Sequence, residues 1–132
     1  VDAGSAYLYS GADGTLIVQH SSWKAGDKLG SSVAGVGDVD GDTIDDYAIG
    51  SPGYDLNNGT PLDVGTVNIL SGLELDVLWY VDGVLAADGC GNAVAGGGDV
   101  NGDGFSDVLV GCSLRDLSGK ANAGTVQVIA VP

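Results

Sequence analysis

The chain repeats itself at a distance of 61 residues, and this internal repeat restricts the possible folds more than any other feature of the sequence. Residues 29–52 align with residues 90–113, and glycine, valine and aspartate recur at matching positions in both stretches. A second element, a glycine followed by a β-favouring run, begins at Gly4, Gly65 and Gly124. A repeat of this length predicts an architecture of similar supersecondary units, and about 60 residues suit a four-stranded propeller blade.

The sequence predicts strands and no helix. Short runs rich in valine, isoleucine, leucine and aromatic residues are separated by Gly, Asp, Asn and Ser, which favour turns. No window keeps a 3.6-residue apolar period over three turns. The runs group as two, four and three strands, so we expect an all-β fold of β-propeller blades, each a four-stranded antiparallel sheet. The runs are residues 7–9, 16–18, 33–34, 47–49, 67–70, 77–81, 93–95, 108–110 and 126–129.

The composition excludes several classes of partner. The 132 residues include 18 acidic and four basic side chains, which gives a formal net charge of −14. Nucleic acids and anionic membrane surfaces would repel such a chain, and no apolar run approaches the ~20 residues needed for membrane insertion. Apolar residues make up 44% of the sequence, which is enough for a packed core. We expect one module, in which residues 1–28 end a blade, 29–89 form a first repeat and 90–132 form a second, incomplete repeat.

Each repeat contains an acidic loop with oxygen-bearing side chains at relative positions 1, 3, 5 and 9. Calcium takes roughly six to eight oxygen ligands, and alternate residues of a tightly curled loop can point to one centre. The backbone carbonyl at position 7, from Ile44 or Phe105, is a further predicted ligand, because its side chain is expected to be buried in the following strand. The sequence therefore predicts two calcium sites per chain. The side-chain ligands are Asp38, Asp40, Asp42 and Asp46 in the first loop, and Asp99, Asn101, Asp103 and Asp107 in the second.

An EF-hand is the main competing interpretation of these loops. It needs an acidic bidentate ligand at position 12 and an exiting helix, whereas position 12 here is Ile49 or Val110 inside a β-favouring run. The other alternative is that the aspartates only build polar turns, since Asp and Gly favour turns in any case. Two matching loops favour the metal interpretation, because so many neighbouring carboxylates repel one another without a cation.

The residues around both loops resemble the FG-GAP repeat of integrin α-subunit β-propellers and of many secreted bacterial proteins. The resemblance implies two repeats plus a leading half-repeat, and blades whose first two strands are joined by a calcium loop. It also implies a non-enzymatic, extracellular adhesion or protein-interaction scaffold in which calcium is structural. The motifs that carry the resemblance are Leu29-Gly30, Asp38-Val39-Asp40-Gly41-Asp42 and Gly50-Ser51-Pro52 in the first repeat, and Cys90-Gly91, Asp99-Val100-Asn101-Gly102-Asp103 and Gly111-Cys112-Ser113 in the second.

The two cysteines occupy positions where this chain departs from the family pattern. Cys90 replaces a phenylalanine and Cys112 replaces an alanine. If residues 93–95 pair antiparallel with residues 108–110 across the second loop, the two cysteines face one another near the open ends of these strands. We expect a Cys90–Cys112 disulfide, which agrees with an oxidising compartment. The alternative is a pair of small buried thiols.

Other residues give weaker indications. His20 is the only histidine and is expected to be an ordinary surface or edge residue, because a single His makes a poor zinc site. Trp23, Trp79 and Tyr80 are expected to pack between blades or sheets, with a sugar- or partner-binding surface as the alternative. Asp88 is expected to be a solvated turn residue.

Three functional classes remain open on the sequence alone. The favoured class is the non-enzymatic scaffold, which would bind a protein or a glycan. The second is an accessory structural module of a larger secreted or surface enzyme. The third is a hydrolase or lyase, which the sequence disfavours because its patterned acidic residues are already assigned to calcium. An unpaired strand is expected near Val126, so we expect the partner to be a second copy in a homo-oligomer, or the remainder of a longer propeller.

Overall fold

Nine β-strands make up the described part of the molecule. The computed structural model describes residues 2–56 and 62–130, and these residues contain no helix. Each predicted run lies within one strand, which confirms the all-β prediction. The strands are β1 (Ser5–Tyr9), β2 (Leu16–Ser21), β3 (Ser32–Gly37), β4 (Asp46–Ser51), β5 (Thr66–Leu70), β6 (Val77–Asp82), β7 (Cys90–Gly98), β8 (Asp107–Cys112) and β9 (Thr125–Ile129).

The strands form three sheets that follow chain order. The first sheet contains β1 and β2, the middle sheet has the order β3-β4-β5-β6, and the third sheet has the order β7-β8-β9. All strand pairs are antiparallel. Each sheet is therefore a series of consecutive hairpins, and the predicted grouping of two, four and three strands is confirmed.

β7 is longer than its predicted run, because glycines extend it at both ends. Glycine has a low β-propensity, so the sequence did not indicate a strand beyond residues 93–95. In the structure these glycines let β7 approach the middle sheet closely. A β-carbon at Gly91 would lie 2.5 Å from the Thr66 carbonyl oxygen, and one at Gly96 would lie 3.0 Å from the Gly35 carbonyl oxygen.

The core lies between the middle and third sheets. Val67 and Ile69 of β5 are fully buried, while Asn68 between them is partly exposed. This alternation follows from the strand pleat, which points successive side chains to opposite faces. Burial of one such side chain contributes about 1.5–3 kcal/mol to stability. The core cluster consists of Val36, Val39, Ala48, Val67, Ile69, Cys90, Val108, Val110 and Cys112.

The contact between neighbouring sheets also repeats along the chain. Gly65, just before β5, forms a parallel bridge with Cys90 at the start of β7. Its φ is 77°, and a β-carbon there would overlap the Cys90 backbone, so this position favours glycine on two grounds. Gly4 forms the same parallel bridge with Leu29, 61 residues earlier. The sequence repeat is therefore a repeat of the sheet-to-sheet contact as well as of the strands.

Cys90 and Cys112 form a disulfide bond across β7 and β8. The two residues are partners in the antiparallel register, and both are buried. The predicted bridge is confirmed, and the alternative of two free thiols is wrong.

The aromatic residues differ in their environment. Trp79 packs against the core cluster, as expected. Trp23 is 89% exposed and Tyr80 is 67% exposed, so the expected packing between sheets is wrong for both. Trp23 lies in the connection between β2 and β3, and Tyr80 lies on β6 at the outer edge of the middle sheet. Neither position is covered by another strand of the described chain.

Candidate metal centre

The two acidic loops occupy equivalent hairpins. The first acidic loop, residues 38–46, joins β3 to β4, and the second acidic loop, residues 99–107, joins β7 to β8. A β-bulge precedes each loop, after which Gly37 pairs with Asp46 and Gly98 pairs with Asp107. Because bulges bend and twist a strand locally, the two loops leave their hairpins in the same way.

Backbone N–H groups orient the carboxylates of the first acidic loop. Asp38 accepts hydrogen bonds from the Gly41 N–H at 2.7 Å and from the Thr43 N–H at 2.9 Å. Asp40 accepts one from the Asp42 N–H at 3.0 Å, and the Asp42 carboxylate accepts one from the Ile44 N–H at 2.7 Å. Carboxylate oxygens of Asp38, Asp40 and Asp42 consequently lie within 4.8 Å of one another.

The second acidic loop repeats this pattern of hydrogen bonds. Asp99 accepts from the Gly102 N–H at 2.6 Å and from the Gly104 N–H at 2.9 Å. Asn101 accepts from the Asp103 N–H at 2.9 Å, as Asp40 does from Asp42. The Asn101 amide also donates to the Asp103 carboxylate at 2.7 Å. The two loops thus share one turn geometry, and in the second loop the side chains at positions 3 and 5 are in direct contact.

The aspartate at position 9 is buried in each loop. Asp46 accepts hydrogen bonds from the Val39 N–H at 2.9 Å and from the Gly72 N–H at 2.9 Å. Burial raises the pKa of Asp46, and the charges of Asp40 and Asp42 raise it further, so Asp46 lies within the field of the first loop.

Asp107, the counterpart of Asp46, has no exposed surface. Its Oδ2 accepts from the Val100 N–H at 2.6 Å, whereas its Oδ1 is buried and has no hydrogen-bond partner among the described residues. The equivalent oxygen of Asp46 accepts the Gly72 N–H, so within the described residues the two position-9 aspartates differ in this contact.

The two residues at position 7 have different surroundings. Ile44 is 43% exposed and precedes β4, so the expectation that its side chain is buried in the following strand is wrong. Phe105 is partly buried, and its ring packs against the backbone of Gly41 in the first loop. The assignment of the two carbonyls as ligands stays a prediction.

The structure leaves no place for an EF-hand in either loop. Each loop is followed by a strand rather than a helix, and position 12 is Ile49 on β4 or Val110 on β8. Both of these side chains are buried and apolar. Carboxylate oxygens of Asp38, Asp40 and Asp42 converge in the first loop, whereas Asp46 lies outside this group. Oxygen atoms are the ligands that a hard cation such as calcium prefers.

A cleft of about 500 Å³ separates the first sheet from the middle sheet. His20 and Tyr47 meet there, with the imidazole Nε2 2.8 Å from the phenol oxygen. Burial lowers the pKa of His20, while the charge of Asp76 acts in the opposite direction, and burial raises the pKa of Tyr47. His20 therefore hydrogen-bonds to a tyrosine side chain from the neighbouring sheet, in keeping with the expectation of an ordinary edge residue.

Two buried carboxylates were not identified as special from the sequence. Asp88 is 1% exposed, so the expectation of a solvated turn is wrong. Its Oδ2 accepts hydrogen bonds from the N–H groups of Val84 and Leu85, at 3.1 and 2.9 Å, and thereby fixes the connection that leads into β7. Asp27 is buried at the equivalent position before β3 and accepts from the Ser22 hydroxyl. The recurrence of Asp at these two positions of the repeat was the available signal.

The sheets, their glycine contacts and the paired acidic loops define an all-β repeat protein built from propeller-type blades. Residues 91–129 match the FG-GAP repeat family. Integrin alpha-PS2 of Drosophila melanogaster is 42% identical to this chain over 103 residues, which are 72% of this chain and 7% of that protein. The chain belongs to the FG-GAP repeat family and is an integrin-type β-propeller module. Within the described residues, no helix is long and apolar enough to cross a membrane.

Proposed function

We propose that the chain is a calcium-binding, non-enzymatic adhesion or protein-interaction scaffold, with one structural Ca²⁺ in each acidic loop. The observation that carries this proposal is the convergence of Asp38, Asp40 and Asp42 in the first acidic loop, where one carboxylate oxygen of each lies within 4.8 Å of the others. The second loop repeats the backbone hydrogen bonds to positions 1, 3 and 5, with Asn101 where the first loop has Asp40.

Electrostatic repulsion supports a resident cation in the first loop. At a separation of 4.8 Å, two carboxylates repel one another by about 3 kcal/mol at an effective dielectric constant of about 20. Three such pairs among Asp38, Asp40 and Asp42, with buried Asp46 beside them, are expensive in an otherwise small module. A divalent cation offsets this repulsion and closes the hairpin between the first two strands of the blade.

The proposed calcium role is tested by calorimetry and thermal unfolding with matched variants. We expect titration to give about two ions per chain, and Asp42→Ala or Asp103→Ala to leave about one. Saturating calcium should raise the unfolding midpoint, since occupancy at about 100 times Kd contributes about 2.7 kcal/mol per site. Glu74→Gln is the control, because it removes one negative charge from an exposed residue outside both loops. A melting curve that EDTA leaves unchanged would refute the proposal.

Exposed apolar side chains at the opposite end of the sheets support the scaffold role. The connections 22–31, 83–89 and 113–124 adjoin the ends of β3, β7 and β8 that lie opposite the acidic loops, because the strands of each hairpin are antiparallel. Trp23, Val84 and Leu114 are exposed on these connections. Exposed apolar side chains on connections at one end of the sheets are consistent with an interaction surface.

Adhesion is tested with surfaces coated with the purified chain. We expect calcium-dependent attachment of cells above an albumin control, lower attachment with Trp23→Ser, and unchanged attachment with Tyr80→Ser, which alters another exposed aromatic residue, on a strand. Attachment no greater than to albumin would contradict the adhesion role. Binding on a glycan array would identify a sugar as the ligand, and turnover in a hydrolase panel would contradict the non-enzymatic assignment.

The third sheet supports association with a second copy of this chain. Val126 is 71% exposed on β9, whereas Val67, at the same position of the middle sheet, is fully buried against β7. The partner we propose is therefore another sheet of the same kind, and in a solution of this chain that sheet comes from a second copy. Sedimentation with calcium should give at least twice the chain mass, Val126→Asp should reduce it, and Leu73→Asp should not. A single-chain mass for the unmodified protein would overturn this association.

We place the module in an extracellular or cell-surface setting. The Cys90–Cys112 disulfide is stable in an oxidising compartment, and calcium is abundant enough there to fill sites of moderate affinity. Titration of free thiols in protein recovered from its native location tests this placement. Two reactive thiols per chain would argue against it.

A further inference from the structure

The two acidic loops contact one another across the gap between the middle and third sheets. The Ser106 N–H of the second loop donates a hydrogen bond to the Asp38 carbonyl of the first loop, with an N···O distance of 2.9 Å. The Phe105 ring packs on Gly41, where a β-carbon would lie only 2.6 Å from the ring atom Cε1. A β-carbon at Gly37 would overlap the Ser106 hydroxyl. These contacts join the backbone of one loop to the backbone of the other.

The donor and the predicted ligand belong to one peptide unit. The Phe105 carbonyl is the predicted position-7 ligand of the second loop, and the Ser106 N–H is the other end of the same planar peptide group. Whatever fixes that carbonyl also fixes the direction of the N–H. A cation bound to the carbonyl oxygen would polarise the peptide group. The N–H would then be a stronger hydrogen-bond donor, as happens along linked hydrogen bonds.

The acceptor, the Asp38 carbonyl, belongs to the residue that organises the first loop. Asp38 opens that loop, and its side chain holds the N–H groups of Gly41 and Thr43. A fixed Asp38 backbone therefore fixes the start of the loop and the carboxylate that organises it. The Phe105 ring restrains the same loop from the other side, at Gly41.

We propose that Phe105 and Ser106 are positioning residues for the first acidic loop, so that filling the second loop increases the calcium affinity of the first. This inference rests on the proposed calcium function. The expected gain is about fivefold, which corresponds to one net hydrogen bond. Thermodynamic linkage requires the same factor in the other direction, so filling the first loop increases the affinity of the second equally.

Site-resolved titration by NMR measures the coupling. The amide of Gly41 reports the first loop and the amide of Gly102 reports the second, because each donates to the position-1 aspartate of its own loop. In Asp99→Asn, which weakens the second site, the Gly41 titration should shift to about fivefold higher calcium. In Asp40→Asn, which weakens the first site, the Gly102 titration should shift by the same factor.

Three substitutions separate positioning from a general structural effect. Ser106→Pro removes the N–H and should weaken calcium binding at Gly41 about fivefold, whereas Ser106→Ala keeps the N–H and should not. Phe105→Ala keeps the carbonyl and the N–H but removes the ring, so it should reduce the coupling without changing the number of ions bound. Unfolding midpoints in EDTA that match the unmodified chain show that each variant folds.

The outcomes distinguish the coupling from the calcium function itself. Two ions per chain with a Gly41 affinity that Asp99→Asn leaves unchanged would overturn the coupling and leave the calcium sites intact. Equal effects of Ser106→Pro and Ser106→Ala would also overturn it. Failure of the unmodified chain to bind calcium would overturn both proposals together.

Discussion

The Cys90–Cys112 disulfide closes the end of the β7–β8 hairpin that lies opposite the second acidic loop. The bridge spans 22 residues of sequence, and the chain-entropy relation for a loop of this size gives about 3 kcal/mol of stabilisation. The double substitution Cys90→Ala/Cys112→Ala should remove most of this amount. Both sulfurs are buried beside the core, so the loss of packing acts in the same direction.

Urea denaturation at 25 °C with saturating calcium measures this loss. With a slope of about 1–3 kcal/mol per molar, typical of small proteins, a loss of 3 kcal/mol lowers the midpoint by about 1–3 M. The unmodified chain after reduction, with two free thiols verified by titration, is the control and should resemble the double variant. A loss below about 1 kcal/mol, with unchanged slope, would refute the reasoning that the bridge acts on the unfolded chain.

Three further predictions concern the sheet contact, the core and pH. Gly50→Ala places a β-carbon against the Gly91 carbonyl, so it should lower the free energy of unfolding by about 1–3 kcal/mol. Gly11→Ala, with open space around it, should change that free energy little. Equal losses in urea titrations would contradict this prediction. Ile69→Ala should cost about 2–5 kcal/mol because the side chain is fully buried, and half-exposed Ile17→Ala should cost much less in the same assay. His20 has a lowered pKa, so the unfolded state binds more protons below about pH 6.5, and this residue's contribution to stability falls as pH falls through that region. The difference between pH 7.5 and 5.5 in urea titrations should therefore shrink in His20→Gln, and an identical difference would argue against this role.

The strands and their grouping into sheets were predictable because they depend on local patterns and on the repeat. Val67 and Ile69 alternate with Asn68, and the same element recurs near Gly4 and Gly124. The spacing of the acidic residues likewise predicted that Asp38, Asp40 and Asp42 would meet, since the turn geometry of a short loop is set by its own sequence. The disulfide followed from strand pairing across the second loop.

What the sequence did not predict depends on contacts between sheets. Phe105 meets Gly41 only because the third sheet packs on the middle one. The spacing of residues within one loop does not indicate which residues of the other loop it will contact. The burial of Asp88 depends on how the connection before β7 folds back over its carboxylate. Trp23 is exposed because no other described part of the chain packs over the connection between β2 and β3.

The two ends of the sheets carry different chemistry, and the strands connect them. The acidic loops lie at one end, and the exposed apolar connections lie at the other, so the cation and the protein ligand that we propose would not compete for the same atoms. An effect of calcium on the apolar end therefore has to pass along β3, β4, β7 and β8, which the core side chains hold rigidly. Closely packed strands change shape little. Calcium in the acidic loops would therefore fix the relative placement of the blades, rather than switch the apolar end between two conformations.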